Sequence, residues 1–176
     1  MNTKPEDIRL TQSFFTRDVL KVAPDLLGCY LVRNNHSGTD RYLITEVEAY
    51  RGEEDKACHA KIGKTPRTKV MYENGGILYV YLIYGIHWML NVVTAEKDNP
   101  QAILIRGTKE VSGPGRLTKK LEIDGSFNGV NIARSELIWI EQSELKDKKV
   151  VTGPRVGVDY AGDYYSKIPW RYILRF

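Results

Sequence analysis

The sequence predicts an α+β fold in a single domain, built mostly on an antiparallel β-sheet with flanking helices. Three observations carry that expectation. Strand-like runs are joined by short turn-rich linkers, as CYLVRN and RYLITEVEAY are by NHSGTD, which is the pattern of a β-hairpin. Helical spacing is confined to two short stretches, one after Asp18 and one opening at GPGRL. A chain of 176 residues with 42% hydrophobic and 27% charged residues can bury one core without disulfides or metal. One domain over 1–176 is expected, with 1–8 a loose polar segment.

In chain order, Val19, Leu20, Val22, Ala23, Leu26 and Leu27 give the first helix, with Pro24 placed to break or restart it and Gly28 to stop it. The hairpin follows, and its second arm ends in YLITEVEAYRGEEDKACH. Strict alternation along that arm puts Leu43, Thr45, Val47 and Ala49 on one face and Tyr42, Ile44, Glu46, Glu48 and Tyr50 on the other. The second face ends in two carboxylates and a phenol, where a strand can deliver reactive groups into a cleft. Taken alone, the pair also fits a solvated face.

The stretch KIGKTPRTK, Lys61 to Lys69, carries four positive charges and no negative one, a loop suited to phosphates or simply to water. After the turn at ENGG, the apolar run ILYVYLIYGIHWMLNVVT is too β-branched and aromatic for a helix and reads as two strands around Ile83-Tyr84-Gly85. Tyr79 and Tyr81 share a face, and Tyr84 stands at the tip. AILIRGT is a further strand, and GPGRLTKKLEI a helix with Arg116, Lys119 and Lys120 early in it. ELIWIEQ, VVTGPRVGVD and WRYILRF are strand-like, the last alternating well enough to close the sheet.

The net charge of +4 favours a polyanionic partner. Eleven tyrosines against four phenylalanines supply flat rings with polar tips, apt for stacking on bases and also common in sheets. Cys29 and Cys58 lack metal or redox spacing and are expected to be buried bystanders. No apolar run reaches the ~18 residues that span a bilayer, and MNTKPEDIRLTQSFF has no leader pattern. A soluble, cytoplasmic protein is expected, nucleoid-associated if bacterial, with no membrane partner.

EVEAYRGEEDKACHA, the TPR segment, LYVYLIYGIHWMLNV, ILIRG, GPGRL and RVGVDYAG, in that order from about Leu10 onward, closely resemble the alkyladenine (3-methyladenine) DNA glycosylases. The resemblance implies a curved sheet with a protruding β-hairpin, similar to the C-terminal domain of formyltransferases. It implies a monofunctional enzyme of base excision repair that flips an alkylated or deaminated purine out of double-stranded DNA and hydrolyses its N-glycosidic bond. By that resemblance Glu48 is the general base for water, with Glu46 in support, and Arg106 and the carbonyl of Val156 help to hold the water. A cation beside Glu48 should keep it ionised.

The resemblance further places Tyr50, His59 and Tyr81 around the flipped base, with the backbone N–H of His59 directed at the purine 6-position and Asn91 crowding the 2-amino group of guanine. Tyr84 is the residue that intercalates. Lys64, Arg67 and Arg116 are candidates for phosphate contacts. No cofactor and no metal is implied: His36, His59 and His87 show no ligand spacing with the cysteines. No lysine occupies a matched pocket position, so no lyase step is expected. A monomer is the default expectation.

The chain departs from the family pattern at His87, where some relatives carry Tyr, and in a shorter loop around Ile62 to Lys64, which bears on lesion range and phosphate contacts. Two rival functions stay open at this point. One is a damaged-DNA or RNA binding module of the same fold without chemistry; the other is a hydrolase of free nucleosides.

Overall fold

The computed structural model describes residues 8–145 and 147–176. The segment expected to be loose therefore lies outside the described residues, save for Ile8. Among these residues eight strands form one sheet: β1 (Tyr30–Asn35), β2 (Gly38–Arg51), β3 (Leu78–Ile83), β4 (His87–Thr94), β5 (Gln101–Thr108), β6 (Ile138–Glu141), β7 (Lys149–Gly153) and β8 (Arg171–Arg175). Their order is β3-β4-β5-β2-β1-β6, with β8 added to β2 and β7 to β8, and every pairing is antiparallel. Among the described residues four short helices flank it: α1 (Gln12–Phe15), α2 (Val19–Leu26), α3 (Pro114–Lys120) and α4 (Gly162–Lys167). The α+β expectation holds.

The long strand β2 organises the sheet. Its first half pairs with β1, and its second half is held on both edges, by β5 over Ile44 to Arg51 and by β8 over Glu46 to Glu48. Between Ile44 and Val47 the register with β5 slips, and this bulge corrects the strict alternation expected from the sequence. Tyr42 and Ile44 lie in the same core cluster as Val47 and Ala49, not beside Glu48. The two shifts cancel, leaving Thr45 of β2 and Arg106 of β5 without a ladder partner, and this local irregularity reconciles two demands: it keeps Ile44 inward and still turns Glu48 to the opposite face. An unbroken strand with Ile44 in the core would have put Glu46 and Glu48 there too.

The two faces of the sheet differ in kind. Leu78 and Val80, Leu90 and Val92, Ile103 and Ile105 join Val47 and Ala49 in the main core, closed by Val19, Val22, Ala23 and Leu26 of α2 and Leu117 of α3. Tyr79, Val93 and Ala102 face the other way, into a second cluster with Cys58, Ala60, Met71 and Tyr72. That second face carries the site.

Helix α2 is capped by the Asp18 carboxylate, which accepts from the Leu20 N–H at 2.9 Å. Pro24 lies inside the helix, which runs two residues past it instead of ending there. The hairpin of β3 and β4 closes at Ile83 opposite His87, so its turn is Tyr84-Gly85-Ile86, one residue later than expected. Tyr84 and Gly85 have φ of 53° and 67°; Gly tolerates this region freely, whereas Tyr84 is held there against its preference. The strand expected over VVTGPRVGVD stops at Gly153, where Pro154 offers no N–H to a ladder, and 154–158 is loop. Helix α4 was not expected.

Candidate active site

Glu48 sits at mid-strand with Leu104 on one side and Arg171 on the other. Its side chain is fully buried, though by polar groups. Oε1 accepts from the Val156 N–H at 2.7 Å, Oε2 accepts from the Tyr50 hydroxyl at 2.9 Å, and Arg106 Nε lies 3.5 Å from Oε1. A carboxylate has about four acceptor sites, and the two hydrogen bonds leave about two of them unused. Burial raises the Glu48 pKa, and Arg106, the Val156 N–H and the Tyr50 hydroxyl pull it back only in part. Desolvation is thus the largest influence on this carboxyl, and the Arg106 cation acts against it.

Arg106 binds the other acid more closely. Its Nε donates to Glu46 Oε1 at 3.0 Å, and Arg171 Nε donates to the same oxygen at 2.7 Å. Glu46 therefore anchors two guanidinium groups, and Arg106 bridges the two carboxylates. Val156 meets Glu48 through its N–H rather than its carbonyl, because the loop after Pro154 turns its amide toward β2.

Beside this cluster is a cavity of about 210 Å³ lined by Tyr50, His59, Tyr81, Asn91, Arg106 and Val156, with Tyr84 at its lip. The structure thus gathers around one cavity all the residues singled out for the base pocket, and Glu48 lies directly behind the wall formed by Tyr50, Arg106 and Val156. The rings of His59 and Tyr81 meet edge to face at 4.6 Å, and those of Tyr79 and Tyr81 lie 5.2 Å apart. His59 Nδ1 shares a 2.9 Å hydrogen bond with the Tyr79 hydroxyl. Burial, then Arg67 and Lys61, push the His59 pKa down to about 4, so the ring is neutral near pH 7. Asn91 Nδ2 donates to the Tyr79 carbonyl at 3.1 Å, which fixes its amide. Tyr84 is 86% exposed, and Ile86 next to it 71%.

The three phosphate candidates are exposed but differently engaged. Lys64 pairs with Asp98 at 3.3 Å, Arg67 lies over the Tyr81 ring at 5.5 Å, and Arg116 folds back near Gly113. Cys29 and Cys58 are buried free thiols, and burial raises their pKa values to about 11 and about 12. Sequence reasoning did not assign Tyr79 to the site, although its shared face with Tyr81 was the available signal. It also missed Tyr160, which lines the cavity, and the buried pair of Asp55 and Arg155, whose separation in the chain leaves no local signal. No described helix is long and apolar enough to cross a membrane.

The family model described as methylpurine-DNA glycosylase (MPG) matches residues 13–113 and 108–175. A protein of Natranaerobius thermophilus is 38% identical, covering 96% of each chain. One of Desulfitobacterium hafniense is 40% identical over 94% of this chain and 95% of its own, and one of Borreliella burgdorferi 40% identical over 92% and 94%. Each bears the name "Putative 3-methyladenine DNA glycosylase". Matches of this extent, along nearly the whole chain, mean that this chain belongs to the methylpurine-DNA glycosylase family of DNA repair proteins.

Proposed function

We propose that this chain is a monofunctional DNA glycosylase of base excision repair. It takes alkylated or deaminated purine nucleotides (3-methyladenine, 7-methylguanine, hypoxanthine and ethenoadenine) out of duplex DNA and cleaves the N-glycosidic bond with water, without a lyase step. The observation that carries this reading is the cavity itself: a ring-lined slot for a flat heterocycle, backed by a carboxylate with acceptor capacity unused and edged by an exposed tyrosine.

In this reading the duplex is opened by Tyr84, which occupies the space vacated by the nucleotide and recovers part of its stacking, ~1–3 kcal/mol for a base–aromatic contact. Tyr50, His59 and Tyr81 enclose the base, and a cationic alkylated purine gains most from their rings. Neutral His59 suits the slot, since a charged imidazolium would repel such a base. A water oxygen then bonds to C1′ while the C1′–N bond breaks and its electron pair leaves with the purine. The proton of that water passes to Glu48, whose raised pKa makes it a stronger base than an exposed carboxylate. Negative charge at Glu48 also stabilises the oxocarbenium-like sugar. The sugar and both phosphates remain as an abasic site.

The test is Glu48→Gln on a duplex containing one hypoxanthine. Affinity should be retained, and base release under single-turnover conditions should fall by at least about a thousandfold, the scale of a general base together with its electrostatic contribution. Release at the parent rate would end the assignment. Affinity without release by the parent protein itself would favour the binding-module reading.

A further inference from the structure

Two of the three groups that hold the Glu48 carboxylate lean on a residue that touches neither the cavity nor the acid. Arg155 and Asp55 form a two-pronged ion pair, Nη1 to Oδ2 at 2.5 Å and Nη2 to Oδ1 at 2.9 Å, and neither side chain has exposed surface. The same guanidinium donates to the carbonyls of Ala49 at 2.9 Å and Tyr165 at 3.2 Å. Its plane lies over the Tyr50 ring at 4.7 Å and the Trp170 ring at 5.2 Å. Asp55 in turn accepts from the N–H groups of Arg51 and Ala57, which ties the pair to the end of β2. Tyr50, stacked on Arg155, donates to one Glu48 oxygen; Val156, the next residue in the chain, donates to the other.

We propose that Asp55 and Arg155 are positioning residues: together they set the orientation of the Glu48 carboxylate, by fixing the Tyr50 ring and the Val156 amide. This rests on the general-base role given to Glu48 above. A buried ion pair is a weak source of stability, because desolvation offsets the attraction between the charges. What the fork does supply is geometry, holding planar groups at fixed angles in a way a lone ammonium cannot. A base misplaced by about 1 Å can lose a hundredfold in rate, so a device of this kind matters more to rate than to folding.

The experiment compares the parent, Glu48→Gln, Asp55→Asn and Arg155→Lys in the full chain, on the same hypoxanthine duplex and well below each melting temperature. Asp55→Asn and Arg155→Lys are expected to slow single-turnover release by about a hundredfold with duplex affinity nearly unchanged. In Arg155→Lys, which keeps the charge that Glu48 feels from this position, the acid limb of the pH–rate profile should move to higher pH, because the O–H and N–H that favour ionised Glu48 are loosened. The other groups facing Glu48, namely Arg106 and Glu46 with its partner Arg171, and Tyr81, are untouched by these changes. A drop in melting temperature with the parent rate and the parent acid limb would overturn the proposal and leave the pair a purely structural one. Should an ion-pair variant fail to fold, Trp170→Phe, which trims a ring packed on the guanidinium and against the core and leaves the ion pair itself intact, is judged by the same acid limb. A parent protein that releases no base, or a Glu48→Gln variant that releases it normally, would sink the glycosylase reading instead.

Discussion

At Glu48, folding works against the charge that the proposed chemistry needs. Its pKa is raised first by burial, so the group favours the folded state below the ordinary carboxylate range, and that contribution is lost as pH rises through the folded value. At neutral pH an ionised Glu48 is therefore a cost to stability. Gln at this position can still accept from the Val156 N–H and can donate to the Tyr50 oxygen. Glu48→Gln is expected to melt at a higher temperature than the parent near pH 7, with the gap closing in acid; calorimetry that finds it lower would mean the ionic contact with Arg106 outweighs burial. His59 has the opposite sign. A pKa lowered to about 4 means that its contribution is intact above the unfolded value of about 6.5 and is lost as pH falls from there toward 4. Urea midpoints should fall across that window, and His59→Asn should flatten the fall.

The decisive element is the β3–β4 hairpin, because its exposed tip is useful only if its base is rigid. It is braced against α3: the Thr118 hydroxyl donates to the Trp88 carbonyl at 2.9 Å, and Trp88 packs on Gly125. Gly115 lies so close to His87 that an added Cβ would stand 3.0 Å from the imidazole Cγ. Ala is otherwise the better helix residue, by about 0.5–1 kcal/mol over Gly. Gly115→Ala is thus expected to leave melting nearly unchanged but to weaken lesion-duplex binding several-fold by displacing the hairpin base, with His87→Ala restoring it in the double variant. Binding equal to the parent in the single variant would show that the tip does not depend on this brace. Elements of this kind were legible in the sequence because turn chemistry is local: Gly38 and Gly85 announce their hairpins, and Asp18 its helix. The bulge in β2 was not, since it depends on β5 and β8, whose strands lie far along the chain.

For the molecule as a whole, the excess positive charge becomes meaningful through its placement. Arg67 and Arg116 are exposed, whereas Lys64 already has Asp98 as a partner. The logarithm of DNA affinity should fall with the logarithm of salt by about 0.9 for each phosphate neutralised. Arg67→Ala and Arg116→Ala should each reduce that slope by about one, Lys64→Ala by less. A slope untouched by either arginine would place the duplex on another surface. Glu48, Arg106 and the cavity rings were found through the resemblance of collinear motifs to a known family, not through alternation along β2, which the bulge interrupts. The motifs could not reveal Asp55 with Arg155, or the Val156 amide on Glu48, since contacts between residues about a hundred apart leave no periodicity to read.

The double-edged hold on β2 has one further consequence. Freeing the backbone of Glu46 to Glu48 requires two ladders to part at once, so the acid shares the durability of the whole sheet and offers little latitude for retuning. On the function proposed above, any retuning of the cavity falls to the rim, where the tip of the hairpin and the loops around His59 and Tyr160 can vary without disturbing the floor.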